Sequence, residues 1–112
     1  MIKIERSIHM LVQHCSATKL STEITARTIW GWHVHNRNFS DIGYHYVIMP
    51  DGKIVHGRPI EKAGAHAKGY NSKSIGICTI GGLDENGDPS DTRTEAQKRS
   101  QHLLSATLCQ MF

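Results

Sequence analysis

Ser74-Ile75-Gly76-Ile77-Cys78-Thr79-Ile80 is a run of seven residues without a charge, and it constrains the fold more than any other stretch of the chain. Its length and apolar character read as a short strand buried on both faces, the kind found at the centre of a sheet. A strand of that kind needs partners on its edges and cover above and below, so the flanking segments must supply both.

They carry the right patterns. Ile8 to Cys15 alternates, with Ile8, Met10, Val12 and His14 on one face and His9, Leu11, Gln13 and Cys15 on the other. Tyr44 to Met49 is a strand rich in aromatic and β-branched residues. Pro50-Asp51-Gly52 turns the chain, proline fixing one dihedral and glycine accepting positive φ, and Lys53 to Gly57 returns as a hairpin partner. A polar loop from Ser16 to Ser21 leads to a helix within 22–37. Ile29 and Trp32 share one side of it, Trp30 and Val34 another, and Gly31 weakens its middle by about 1 kcal/mol relative to alanine. Gly81 to Asp91 is a turn-rich loop holding Asn86-Gly87. Thr94 and Gln97 fit a capping box, and the helix they open is amphipathic through Leu103, Leu104, Thr107, Leu108 and Met111. No closing glycine, asparagine or basic residue follows, so the chain is expected to have continued beyond Phe112. The elements together predict one α/β domain, a mixed sheet with helices packed on it and a binding groove across one face.

Composition narrows the function. At 112 residues the chain makes one domain with a real core. Its net charge of +3 comes from basic residues placed singly or in pairs, which argues against nucleic acid as a partner and is compatible with an anionic surface. Cys15, Cys78 and Cys109 are odd in number and widely spaced, against both a disulfide framework and a zinc ribbon. The first residues lack the apolar core of a signal peptide and no run approaches a membrane span, so synthesis in the cytoplasm and no membrane partner are expected.

Taken singly, the chemically capable residues have ordinary explanations. One histidine specifies no metal, and His14 reads as a strand histidine bonded to a backbone carbonyl. Cys15 points away from His14, so the two form no base–nucleophile pair, and Cys15 reads as a small packed side chain. Tyr44 reads as a core or interface tyrosine, with His45 on the opposite face as a structural residue. Residues 64–71 form a glycine-rich loop, and His33, His35 and His102 read as helix-surface residues.

Three strings change that reading because they occur in a fixed order. Val12-Gln13-His14-Cys15-Ser16-Ala17-Thr18 is followed by Asp41-Ile42-Gly43-Tyr44-His45-Tyr46, and then by Gly64-Ala65-His66-Ala67-Lys68-Gly69-Tyr70-Asn71 running into Ser74-Ile75-Gly76-Ile77. Together they resemble the zinc-dependent N-acetylmuramoyl-L-alanine amidases, which include the short phage lysozymes, and the related peptidoglycan-recognition proteins. The resemblance runs from Ile8 to Phe112.

It implies peptidoglycan as substrate, with hydrolysis of the amide between N-acetylmuramic acid and L-alanine. It makes His14 the first zinc ligand and sets Tyr44 to bond the attacking water or the oxyanion. His66, Lys68 and Asn71 fall on the groove wall as substrate contacts. Family members continue into a segment bearing a second zinc histidine, a lysine and a cysteine ligand. Residues 1–112 are therefore expected to be a C-terminally incomplete domain with an incomplete zinc site. The uncovered helix bearing Leu103, Leu104, Leu108 and Met111 would favour a homodimer. A non-catalytic peptidoglycan-binding module and a regulatory interaction protein are the alternatives.

Overall fold

The structure is a computed structural model and describes residues 5–112. The uncharged run forms β5 (Ser74–Thr79), every residue of it buried, in the interior of a four-stranded sheet. The remaining strands are β1 (Met10–Cys15), β3 (Tyr46–Ile48) and β4 (Ile54–His56), in the order β1-β5-β3-β4. β1 and β3 run parallel to β5, and β4 is the antiparallel hairpin partner of β3. The turn between β3 and β4 is the expected one: Gly52 has φ 89° and donates its N–H to the Met49 carbonyl at 2.8 Å. A second, two-stranded sheet pairs β2 (Thr18–Lys19) with β6 (Gly82–Leu83), inside segments that read as loops from the sequence.

The period-2 geometry of β5 divides the core into two layers. Ile75 and Ile77 join Ile48, Ile60 and Leu108 on one face, against the long helix α2 (Glu95–Met111). Cys78 joins Val47, Ile24, Ile29, Ile42 and Ile80 on the other, beneath the short helix α1 (Ala26–Gly31). Burying each isoleucine is worth about 1.5–3 kcal/mol, so these two clusters are the main source of stability. The capping box of α2 is present: Gln97 N–H donates to Thr94 Oγ1, and Thr94 N–H to Gln97 Oε1. Gln97 is fully buried and its Nε2 donates to the Ile80 carbonyl at 2.8 Å, which ties the start of α2 to the end of β5.

Two expectations about the helices change. The helix within 22–37 is α-helical only over Ala26–Gly31, and from Trp32 to Asn36 it widens to a π-helix. Widening moves the inward-facing position by one residue. His33, expected at the surface, is 7% exposed, whereas Trp32, expected beside Ile29, is 37% exposed. On α2, expected to be uncovered along its apolar side, Leu103 and Met111 do point outward at 65% and 52% exposure, whereas Leu104 and Leu108 pack on the sheet. Among the described residues no helix is long and apolar enough to cross a membrane.

Candidate active site

The end of β1, the lead into β3 and the loop before β5 bring His14, Tyr44 and His66 together, residues 22 to 52 positions apart in sequence. The Tyr44 ring centre lies 5.1 Å from that of His14 and 6.4 Å from that of His66. His14 Nε2 is 2.8 Å from His66 Nδ1, and the two rings meet edge to face at 88°. Burial pushes the Tyr44 phenol up to about 12, with the neighbouring Cys78 thiol adding to the shift, so the hydroxyl keeps its proton. Burial also lowers His14, and it carries His66 down to about 4 with help from His14, His45, Arg6 and Arg58. Both imidazoles are neutral at pH 7.

Close backbone approach makes this assembly possible. A Cβ on Gly43 would come 2.1 Å from the Ala65 carbonyl oxygen, and one on Gly64 would come 2.6 Å from the Gly43 carbonyl oxygen. Ala65 N–H donates to that Gly43 carbonyl at 3.0 Å, sealing the two loops together. Arg58 clamps the same region, its guanidinium donating to the carbonyls of Asp41, Ile42 and Ala63. His45, read as structural, is 1% exposed; its Nδ1 accepts from Gly76 N–H at 3.0 Å and its Nε2 donates to the Lys62 carbonyl at 2.8 Å. Cys15, read as packed, is exposed, its sulfur lying over Gly82.

A groove of about 430 Å³ runs from Tyr44 along His66, with Ala65, Ala67, Lys68, Asn71 and Phe39 on its walls. All of Tyr44, His66, Lys68 and Asn71 therefore line one concavity. Their parts in it differ. Lys68 is exposed at the rim. Asn71 Oδ1 accepts from the backbone N–H groups of both His66 and Ala67 at 2.9 Å, so that oxygen is spent on holding the loop.

Sequence reasoning missed His33 and Arg37. The π-helix brings both to the same concavity, and a smaller lobe of about 140 Å³, lined by Ser16, Ile29 and Trp32, meets it across Tyr44, His33 and Arg37. His33 Nδ1 accepts from Gly43 N–H at 2.8 Å, which leaves its proton on Nε2. Burial lowers its pKa, with the Arg37 and Arg58 charges adding to the effect. A lone histidine four residues before an arginine gives no sequence signal for this; only the one-residue change in helix register does.

The donor set for a metal is short. Among the described residues no three His, Cys, Asp or Glu side chains converge. Cys78 is fully buried with its thiol pushed up to about 12, chiefly by burial, and His14 and His66 are bonded to each other. A catalytic zinc takes three protein ligands. The described residues do not make a complete site of that kind.

With this geometry in hand, the relatives of the chain are informative. Residues 5–112 match the family model described as N-acetylmuramoyl-L-alanine amidase. The endolysin of Escherichia phage T7 is 42% identical over 106 residues, which is 95% of this chain and 70% of that protein. The endolysin of Klebsiella phage KP32 is 41% identical over 95 residues, 85% of this chain and 62% of that one. Among solved structures, the N-acetylmuramoyl-L-alanine amidase LysC from Clostridium intestinale superposes with a TM-score of 0.81 at 32% identity, over 95% of this chain and 65% of that one. The chain thus spans somewhat less than two thirds of the Klebsiella phage relative and of LysC. By sequence and by fold, the chain belongs to the N-acetylmuramoyl-L-alanine amidase family.

Proposed function

We propose that the protein is a peptidoglycan amidase that hydrolyses the bond between the lactyl group of N-acetylmuramic acid and the L-alanine of the stem peptide, and so acts on the cell wall. The observation that carries this reading is the place of Tyr44. A phenol that stays protonated sits beside His14 and His66, where two lobes of one groove meet.

The chemistry follows from those groups. A water oxygen adds to the amide carbon, the carbonyl oxygen gains negative charge, and the carbon–nitrogen bond then breaks. The nitrogen leaves as an amine once protonated, giving a lactyl carboxylate and a peptide beginning with alanine. The Tyr44 hydroxyl can donate to the developing oxyanion. His66, at about 4, is too weak a base to take the water proton efficiently at pH 7, so the imidazole pair serves geometry more than proton transfer. Arg37 and Lys68 give the groove two cations and its lining no carboxylate, which suits an acidic stem peptide. A zinc requirement belongs to the same reading, with His14 as the one family-type donor among the described residues.

The short donor set supports a second reading, a module that binds peptidoglycan without cutting it. Either way the ligand belongs in this groove. Titration of the 15N-labelled protein with muramyl tripeptide should shift the amides of Tyr44 and of Ala65 to Lys68. Shifts confined to another face, such as the cavity of about 360 Å³ lined by Ala26, Trp30 and His56, would refute both readings.

A further inference from the structure

Arg6 stands half-buried ahead of β1, and its guanidinium is spent on the loop that builds one wall of the groove. Nε and Nη2 both donate to the Ile60 carbonyl, at 3.1 and 2.8 Å. Nη1 donates to the Ser74 carbonyl at 2.8 Å, with the Ser72 and Asn71 carbonyls at the edge of its reach, 3.4 and 3.5 Å away. Ile60 and Ser74 are both buried, and the chain between them carries His66, Lys68 and Asn71 to the groove. One planar fork therefore bridges the two ends of a single loop.

We propose that Arg6 is a positioning residue for the groove wall, clasping the base of the 60–74 loop so that its tip keeps the shape that binds substrate. The identity of that substrate rests on the peptidoglycan reading; the clasp itself does not. The two halves of the loop are secured differently. The outgoing half is bonded to its surroundings at three points: Lys62 to His45, Ala63 to Arg58 and Ala65 to Gly43. The returning half, 67–73, is bonded mostly to the loop itself. Tyr70 N–H donates to Ala67, Lys73 N–H to Tyr70, and Asn71 Oδ1 collects the N–H groups of His66 and Ala67. Among the described residues, its backbone bonds to the rest of the protein come from His9 N–H, at the Lys73 carbonyl, and from Arg6. Arg6 thus holds the side of the loop that holds Asn71, and Asn71 in turn holds His66. Without the fork the carbonyls of Ile60 and Ser74 lose their donor, and the loop gains by opening to water. The sheet has no such need of it, because β5 is joined to β1 and β3 by their own pairing. An ammonium is one point charge and cannot donate to both ends at once, so arginine is the side chain this place requires.

Arg6→Lys keeps the charge and the aliphatic stem and removes only the fork. Amide hydrogen exchange of the variant, read residue by residue by NMR, should speed up about tenfold at His66, Ala67 and Tyr70. The amides of Met49 and Ile80, bonded to the Lys53 and Ile48 carbonyls, should keep the parent's rate. Muramyl tripeptide should bind the same variant about tenfold more weakly, because the wall is formed for a smaller fraction of the time. Exchange that rises equally at all these amides, or at none of them, would overturn the proposal. So would a loosened loop that binds the tripeptide as tightly as the parent does. An Arg6→Lys chain that no longer folds would make Arg6 a residue of the whole fold and overturn the local role. The exchange measurement uses no ligand, so the two readings fail separately. Wild-type protein that does not bind the tripeptide defeats the peptidoglycan reading, and the exchange pattern alone then decides whether Arg6 clasps the loop.

Discussion

The imidazole of His66 lies against the backbone of Gly76, so that a methyl group there would come within 2.6 Å of the ring. Gly76 is therefore the floor on which His66 rests, and the absence of its side chain lets His66 reach His14. Gly76→Ala should force the ring aside, costing about 1–3 kcal/mol in overpacking and separating the two histidines. Urea unfolding reports the first effect and the His14 15N spectrum the second. An alanine variant as stable as the parent, with an unchanged His14 spectrum, would show that the loop yields without consequence.

His45 and Tyr44 are neighbours with opposite duties. His45 satisfies the buried Gly76 N–H and the Lys62 carbonyl. In His45→Ala the Gly76 donor alone loses a partner worth about 1–3 kcal/mol, so the variant should unfold at lower urea. Tyr44→Phe removes a hydroxyl that neighbours the Cys78 thiol while the ring keeps its packing, and should unfold closer to the wild type than His45→Ala does. The reverse ranking would make Tyr44 the structural residue of the two.

Acid should weaken the fold through His66. Its pKa is about 4 in the folded protein against 6.5 ordinarily, so below pH 6.5 the unfolded chain takes up a proton that the native state refuses. The stability tied to the neutral ring is complete above pH 6.5, drains as pH falls toward 4, and changes no further below that. Urea midpoints measured across this range should fall more steeply for the wild type than for His66→Asn. Parallel curves would remove His66 as the cause.

Zinc should bind this 112-residue polypeptide below one ion per chain, because the described residues bring together no three donors. Elemental analysis after exhaustive dialysis gives the number. Stoichiometric zinc, lost in His14→Ala, would contradict this and require ligands from a neighbouring chain.

How much of this was legible in the sequence depends on the range of the interaction. Ser74 to Ile80, the Pro50-Asp51-Gly52 turn and the Thr94–Gln97 box are set by neighbours in the chain, and their pattern announces them. The π-helix is not, since one added residue per turn leaves the hydrophobic pattern nearly intact while exchanging Trp32 for His33 at the core. Asn71 looks like any loop polar residue until its oxygen is seen to collect two backbone N–H groups. His14, Tyr44 and His66 could be grouped only through the family resemblance, because spacing carries no information about loops folded against one another. The reason for Gly76, a ring laid over it from ten residues away, is visible only in three dimensions.

The bond that is cut tests the central claim most directly. Muramyl tripeptide incubated with stoichiometric protein, then resolved by mass spectrometry, should yield N-acetylmuramic acid with a free lactyl carboxylate and a peptide with a new amino-terminal alanine. Tyr44→Phe should slow that release by about 10²–10³-fold, the usual cost of one lost oxyanion donor. Cleavage within the peptide, or equal rates for Tyr44→Phe and the wild type, would contradict the account, whereas binding in the groove with no cleavage at all would select the non-cutting reading that the short donor set supports.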